Sequence, residues 1–189
     1  MGWRSTATTW GGVMRVFHWG MMAVLASTIP LGWYMAGLPP DVHKVRLYAL
    51  HKSIGLTLLA LALLRLCWRA AERRPALPQM PPWQTRAARA VHAALYVLMF
   101  TIPLSGWLYN SAAGFPLRWF GLVNLPGLAA SNPALKSLAH GIHQAAVWVF
   151  LALVALHVAA ALKHHFGDRD RTLAMMVPGI RVPGTRNGA

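Results

Sequence analysis

The 189-residue chain contains few charged residues, and acids are especially scarce. Asp and Glu occur only four times, and charged residues make up 12% of the sequence, roughly half the share in a typical soluble domain. Hydrophobic residues reach 56%, which excludes a disordered chain and argues against a water-soluble globule. The sequence therefore predicts a membrane protein.

Cysteine is almost absent too, because Cys67 is the only one. A single cysteine excludes a disulfide within the chain, a four-cysteine metal site and an iron–sulfur cluster. The sequence also lacks the CxxCH pattern, which excludes covalent attachment of a c-type haem. Any metal or cofactor must therefore be held by other ligands, and the chain has nine histidines.

Four long apolar stretches are present, and each is long enough to cross a hydrocarbon core of about 30 Å as a helix. We expect the first stretch to be retained as a span, since it is too long for the apolar core of a signal peptide. No alternation of period two supports a β-barrel. The predicted fold is all-α, a transmembrane four-helix bundle forming a single domain over residues 1–189. The spans are predicted at about 16–38, 47–68, 91–113 and 142–162.

Basic residues are distributed unevenly among the connections. The N-terminus, the second connection with Arg65, and the C-terminal tail hold 13 of the 18 Lys and Arg residues. The positive-inside rule then places both termini in the cytoplasm. Trp33, Trp107 and Trp119 fit the interfacial belt on the opposite side. Because topology explains the basic residues, no nucleic-acid partner is expected.

Histidines inside the spans are the feature that most needs explanation, since an ionisable residue in a membrane is costly. The predicted topology puts His18 and His157 near the cytoplasmic side and His51 and His143 near the outer side. His143 and His157 are 14 residues apart, a rise of about 21 Å and almost four whole turns. They therefore project from nearly the same face of one helix.

Two histidine pairs at two depths match the needs of two b-type haems, whose irons take axial nitrogens from facing helices. Arg65 is a candidate cation for the propionates of the inner haem, and Lys52 and Arg46 are candidates for the outer one. Small residues beside a haem plane are expected at Gly20, Gly55 and Gly141.

Other histidines leave alternatives open, because a single membrane histidine is more often a hydrogen-bond partner between helices than a ligand. His140 competes with His143 for the outer ligand position. His92 is structural or binds a propionate. His164 and His165 favour a cytoplasmic cap on the last helix.

The motifs around these histidines resemble the bacterial cytochrome b561 proteins, which are grouped with the cytochrome b subunits of nickel-iron hydrogenases. The resemblance covers roughly Thr9 to Pro178. The matching segments are RVFHW at Arg15–Trp19, LHKSIG at Leu50–Gly55, LLRLCWR at Leu63–Arg69, HAALYVLMFTIPLSGWL in the third span, and ALKHHF at Ala161–Phe166.

The resemblance implies four transmembrane helices in the bacterial inner membrane with two haems b, whose axial ligands map onto His18, His51, His143 and His157. It also implies membrane electron transfer. One member of similar size oxidises superoxide at the periplasmic face and passes the electron to ubiquinone. Cations near the outer haem would attract such an anion; the candidates are Lys52, Arg46, Lys44 and Arg118.

The favoured function is a stand-alone di-haem protein that exchanges electrons between the quinone pool and a periplasmic redox protein or superoxide. Whether it is an electron carrier or a superoxide:ubiquinone oxidoreductase stays open, and electron transfer requires no catalytic acid–base pair. One alternative is a haem b membrane-anchor subunit of a larger oxidoreductase such as a hydrogenase. A divalent-metal carrier is disfavoured, since all four acids lie outside the predicted spans and such carriers use intramembrane carboxylates.

Overall fold

The structure, a computed structural model, describes residues 2–73, 75–76 and 78–180. Among these residues, four helices are long and apolar enough to cross a membrane, which confirms the predicted all-α membrane fold. Their bounds are α1 Gly12–Gly37, α2 Val42–Ala71, α3 Pro82–Ala112 and α4 Pro133–Leu162. A π-helical turn, Lys163–Gly167, continues α4. Arg74, Arg181 and Arg186, part of the predicted charge asymmetry, lie outside the described residues.

Two of the helices begin at polar capping residues. The Asp41 side chain accepts a hydrogen bond from the Lys44 amide at 2.7 Å and caps α2, and Asn132 accepts one from the Leu135 amide at 3.0 Å before α4. Pro133 then occupies the first position of α4, where its missing N–H costs nothing.

The helices extend beyond the predicted spans, mostly at their N-terminal ends. Helix α3 begins at Pro82 rather than near Val91, and α4 begins at Pro133 rather than near Ile142. Hydropathy marks only the part of a helix that matches hydrocarbon. The first turns of α3 and α4 carry Arg86 and Lys136, so they form helix without contributing to the apolar signal.

A small β-hairpin between α3 and α4 was missed by the sequence analysis. Strands β1 (Leu117–Trp119) and β2 (Val123–Leu125) pair antiparallel, with Arg118 opposite Asn124. At the turn, Phe120 has φ 47° and Gly121 has φ 74°. Two consecutive residues of positive φ are what a tight hairpin turn requires.

The chain forms two compact units, each of which receives a segment from all four helices. Unit 1 comprises Met1–His18, Arg65–Leu95 and Phe150–Ala189, and unit 2 comprises Trp19–Leu64 and Tyr96–Val149. Each unit therefore contains one pair of the predicted ligand histidines.

Unit 2 has a core of apolar side chains from its first three helix segments. Met21, Leu58 and Ala62 are buried there, and partly buried neighbours pack on them: Val24, Leu25, Ile54, Leu61, Met99 and Phe100. In unit 1, the N-terminal segment is fastened through the Ser5 hydroxyl, which donates to Glu72. The Arg15 guanidinium also donates to the Met175 carbonyl at 3.1 Å.

Candidate functional site

Within unit 2, His51 of α2 and His143 of α4 face each other. Their ring centroids are 6.4 Å apart, and the ring planes are inclined by 75°. A metal held between two imidazole nitrogens places the ring centres about 6 Å apart, since each metal–nitrogen bond is about 2 Å and each nitrogen is about 1 Å from its ring centre. The spacing of this outer pair therefore suits one metal atom with two axial imidazoles.

The Nδ1 atoms of both outer histidines have oxygen partners. His143 Nδ1 lies 2.8 Å from the Ile102 carbonyl oxygen and 3.3 Å from the Ser105 hydroxyl. A carbonyl can only accept, so Nδ1 carries the proton and Nε2 keeps its lone pair. His51 Nδ1 lies 3.3 Å from the Thr28 hydroxyl. This is the arrangement of a metal-ligating histidine, whose second ring nitrogen donates to a nearby oxygen.

Two glycines make room for these rings. A Cβ atom on Gly32 would lie 3.1 Å from His51 Cε1, and one on Gly106 would lie 3.2 Å from His143 Cε1. Any larger residue would push the rings away from the helix backbone. By contrast, a Cβ on Gly20, Gly55 or Gly141 would meet nothing within 4 Å, so the expected small residues border open space and do not contact the histidines.

Unit 1 contains the inner pair together with a third histidine. The ring centroids of His18 and His157 are 6.3 Å apart, nearly the separation of the outer pair. His92 of α3 approaches His157 more closely, with centroids 5.2 Å apart. That shorter distance does not suit a metal between the two rings, whereas the separation of His18 and His157 does.

Arg65, the candidate cation for the inner haem, lies beside His18. Its guanidinium is 3.4 Å from His18 Nδ1, and because a guanidinium only donates, this nitrogen accepts. Presenting Nε2 to a metal requires the other tautomer, with a proton on Nδ1. Binding at His18 through Nε2 therefore requires the Arg65 contact with Nδ1 to be given up.

Most of the predicted outer cations contact protein oxygens. Lys52 donates to the Asn110 side chain at 2.9 Å, and Arg118 donates to Asn124 at 2.8 Å. Lys44 donates to the Leu38 carbonyl at 2.5 Å, so it caps the C-terminal end of α1. Lys52 is half-buried and follows His51 on α2.

His140 and His165, which lie outside the two facing pairs, each contact an aromatic ring. His140 packs its ring on Tyr109, with centroids 5.1 Å apart, whereas His143 is the residue opposite His51. His165 is buried, and its ring contacts Phe166.

His164 takes part in a cluster of polar contacts after α4. Its Nδ1 lies 2.7 Å from Asp170 and 3.0 Å from Asp168, and Lys163 lies 2.6 Å from Asp168. Burial raises the pKa of Asp170, but hydrogen bonds with Thr172 and His164 outweigh it and hold the pKa below its usual range. Among the described residues, His164, Asp168 and Asp170 are the one group of three His, Cys or carboxylate side chains whose ligand atoms all lie within 4.8 Å of one another. The Lys163 ammonium already pairs with the Asp168 carboxylate of this group.

Several features of the site were not predicted from the sequence. The roles of Gly32 and Gly106 could not be predicted, because they depend on which helix lies next to each glycine. The Ile102 carbonyl belongs to the main chain, so the residue type at that position does not reveal its role. The glycine in PLSGWL, which follows Pro103 by three residues, was the one usable signal, because a glycine inside a span often marks close approach of another group.

The chain is similar to known proteins over nearly all its length. The sequence model of the family described as prokaryotic cytochrome b561 matches residues 9–179. The chain is 35% identical to cytochrome b561 homolog 2 of Escherichia coli K12, over 94% of this chain and 95% of that protein. It is 28% identical to cytochrome b561 homolog 1 of the same strain, over 85% and 92%. A protein from Yersinia pestis named probable superoxide oxidase CybB is 26% identical, over 78% and 84%.

Proposed function

This chain belongs to the prokaryotic cytochrome b561 family, and we propose that it exchanges electrons between the quinone pool and a periplasmic partner through two b haems. Family membership makes it a multi-pass bacterial membrane protein that binds haem b and transfers electrons. The proposal adds the number of haems, the ligands and the partners. It places the chain in the inner membrane with both termini in the cytoplasm, as the basic residues predict.

The facing imidazoles of His51 and His143 carry the proposal. Their 6.4 Å separation suits one iron, and the bond of His143 Nδ1 to the Ile102 carbonyl leaves the Nε2 lone pair of His143 available to it. His18 and His157 repeat the spacing at 6.3 Å, so the ligand set suits two haems. Bound haem would supply reversible one-electron chemistry at its iron.

Arg65 and Lys52 are proposed to bind the propionates of the inner and the outer haem. Arg65 lies against His18 through a 3.4 Å contact, and Lys52 neighbours His51 in sequence and is half-buried. A cation that pairs with a propionate stabilises its charge in the low-dielectric interior. This role accounts for two basic side chains within the apolar helix α2.

Superoxide is the periplasmic donor that we propose to test first, with ubiquinone as the acceptor. One relative is named a probable superoxide oxidase, and two basic residues of this chain, Lys52 and Arg118, belong to the same unit as the outer pair. Two superoxide ions would release two electrons and two O₂ molecules. Quinone would take up these electrons together with two protons and become quinol.

The decisive experiment counts haem in the purified protein and in four single variants: His18→Ala, His51→Ala, His143→Ala and His157→Ala. Two non-covalent haems b are expected in the wild type. His18→Ala and His157→Ala should remove one haem, and His51→Ala and His143→Ala the other, which reduced-minus-oxidised spectra will distinguish. His140→Ala is the matched control and should keep both.

Three results would contradict the proposal. Full haem content in His143→Ala with loss in His140→Ala would move the outer ligand to His140. One haem or none in the wild type would remove the di-haem function. A catalytic subunit that co-purifies in fixed ratio would instead indicate a membrane anchor of a larger oxidoreductase.

A further inference from the structure

The β-hairpin between α3 and α4 exposes an unusual number of apolar side chains. Leu122 is 82% exposed, and it belongs to a run of five residues that we term the hairpin tip, Trp119–Val123. The tip also exposes Trp119, Phe120 and Val123. An exposed apolar cluster of this kind on a short, ordered loop marks a contact with something apolar.

Hydrogen bonds to α2 fix the depth of the tip. The Phe120 amide donates to the Ser53 hydroxyl at 2.9 Å, and the Trp119 indole donates to the Thr57 hydroxyl at 3.0 Å. From Ser53 to Leu64, α2 contains no charged residue. Thr57 lies about one turn, or 6 Å along the axis, beyond Ser53. The tip therefore lies beside the first turns of the apolar part of a membrane-spanning helix.

The two strands present different chemistry on their two sides. Leu117 is buried against the protein, with Leu125 as its pairing partner. The next pair is polar, because the Arg118 guanidinium donates to the Asn124 side chain at 2.8 Å. Arg118 and Asn124 therefore flank the apolar tip, and their polar groups suit phospholipid headgroups.

We propose that the hairpin tip inserts into the phospholipid bilayer, at the boundary between headgroups and acyl chains. The tip continues the lipid-facing surface of α2, to which Ser53 and Thr57 attach it, and the Trp119 ring has the amphipathic character that favours this boundary. The connection between α3 and α4 is thus a membrane anchor at its hairpin. This inference does not depend on haem number, ligands or electron partners.

Spin labelling tests the proposal, and the chain suits it because Cys67 is the only cysteine. In a Cys67→Ser background, a nitroxide is attached at Leu122→Cys, at Leu63→Cys and at Trp3→Cys. Leu63 is an exposed residue within the apolar part of α2, and Trp3 is an exposed residue outside the helices. The proteins are placed in vesicles of phosphatidylethanolamine and phosphatidylglycerol, and collisions with O₂ and with a water-soluble nickel complex are measured.

The label at position 122 is expected to resemble that at 63, with a ratio of O₂ to nickel accessibility several-fold above that at Trp3→Cys. A ratio equal to that of Trp3→Cys would overturn the proposal, because the tip would then lie in water. Protection from both reagents would also overturn it, since a partner protein or a second copy would then cover the tip. Leu122 makes few contacts, so the substitution should not disturb folding, and unchanged haem content checks this.

Discussion

Gly106 of α3 lies so close to His143 of α4 that a side chain could not be added without displacing the ring. A Cβ at this glycine would be 3.2 Å from both Cε1 and Nδ1 of the imidazole. The ring has little freedom to retreat, because Nδ1 is held at 2.8 Å by the Ile102 carbonyl. The backbone of α3 therefore fixes the position of the His143 ring on two sides.

Gly106→Ala is expected to destabilise the protein by about 1–3 kcal/mol, the usual cost of overpacking, and to alter the spectrum of the outer haem. Gly37→Ala is the matched control, since a Cβ at this last residue of α1 meets nothing within 4 Å and no haem is expected beside it. Thermal unfolding in detergent and the oxidised spectrum of each variant would test this. Equal stability of the two variants would show that the His143 ring can move.

Thr28→Val should weaken binding of the outer haem by roughly tenfold, the lower end of the effect expected when a partner of a ligating histidine is lost. The substitution keeps the side-chain shape and removes the hydroxyl 3.3 Å from His51 Nδ1. Thr101→Val is a suitable control, because that hydroxyl bonds to the Val97 carbonyl of its own helix. Haem titration into the haem-depleted protein gives both affinities. Unchanged affinity in Thr28→Val would mean that the hydroxyl does not orient His51.

His92→Ala is expected to keep two haems per chain, whereas His157→Ala should lose one. The reason is geometric, since the 5.2 Å between the His92 and His157 rings is shorter than the roughly 6 Å that an intervening metal requires. Haem content and the oxidised spectrum distinguish the two variants. Loss of a haem in His92→Ala alone would make His92 the ligand and exclude His157.

Stability in acid should depend on Asp170. Its pKa is held below the ordinary value of 3.8, so its bonds to Thr172 and His164 stabilise the fold fully above that value. This contribution is lost as pH falls below about 4, through the lowered pKa. Asp170→Asn should unfold at a lower temperature near neutral pH and show a smaller further loss in acid. An equal fall in melting temperature for both proteins as the pH is lowered through the acidic range would contradict this.

The four helices could be predicted from sequence because a bilayer accepts few structures. Apolar runs long enough to cross it must satisfy their own backbone hydrogen bonds, so each run becomes a helix. The same reasoning could not find where α3 and α4 begin, since polar turns such as the one containing Arg86 lie outside the hydrocarbon. It also missed the hairpin, because three-residue strands such as Leu117–Trp119 have too few residues for a periodic pattern.

The candidate ligands could be predicted because helical spacing is regular. Residues 14 apart, such as His143 and His157, return to nearly one face of α4. Contacts between helices could not be predicted in the same way, because the approach of Gly32 to His51 depends on how two helices are placed. The assignment of the ligands to two haems stays a prediction, as does the single-domain organisation.

The Ile102 carbonyl that holds the His143 ring belongs to the main chain, and this affects how the protein can change over time. Replacing residue 102 by another amino acid does not remove that oxygen, so the acceptor does not depend on which side chain stands there. The Thr28 hydroxyl opposite His51 has no such protection, since one codon change removes it. Mutation can therefore remove the side-chain hydrogen-bond partner of His51 but not the main-chain partner of His143, and selection has to maintain only the former.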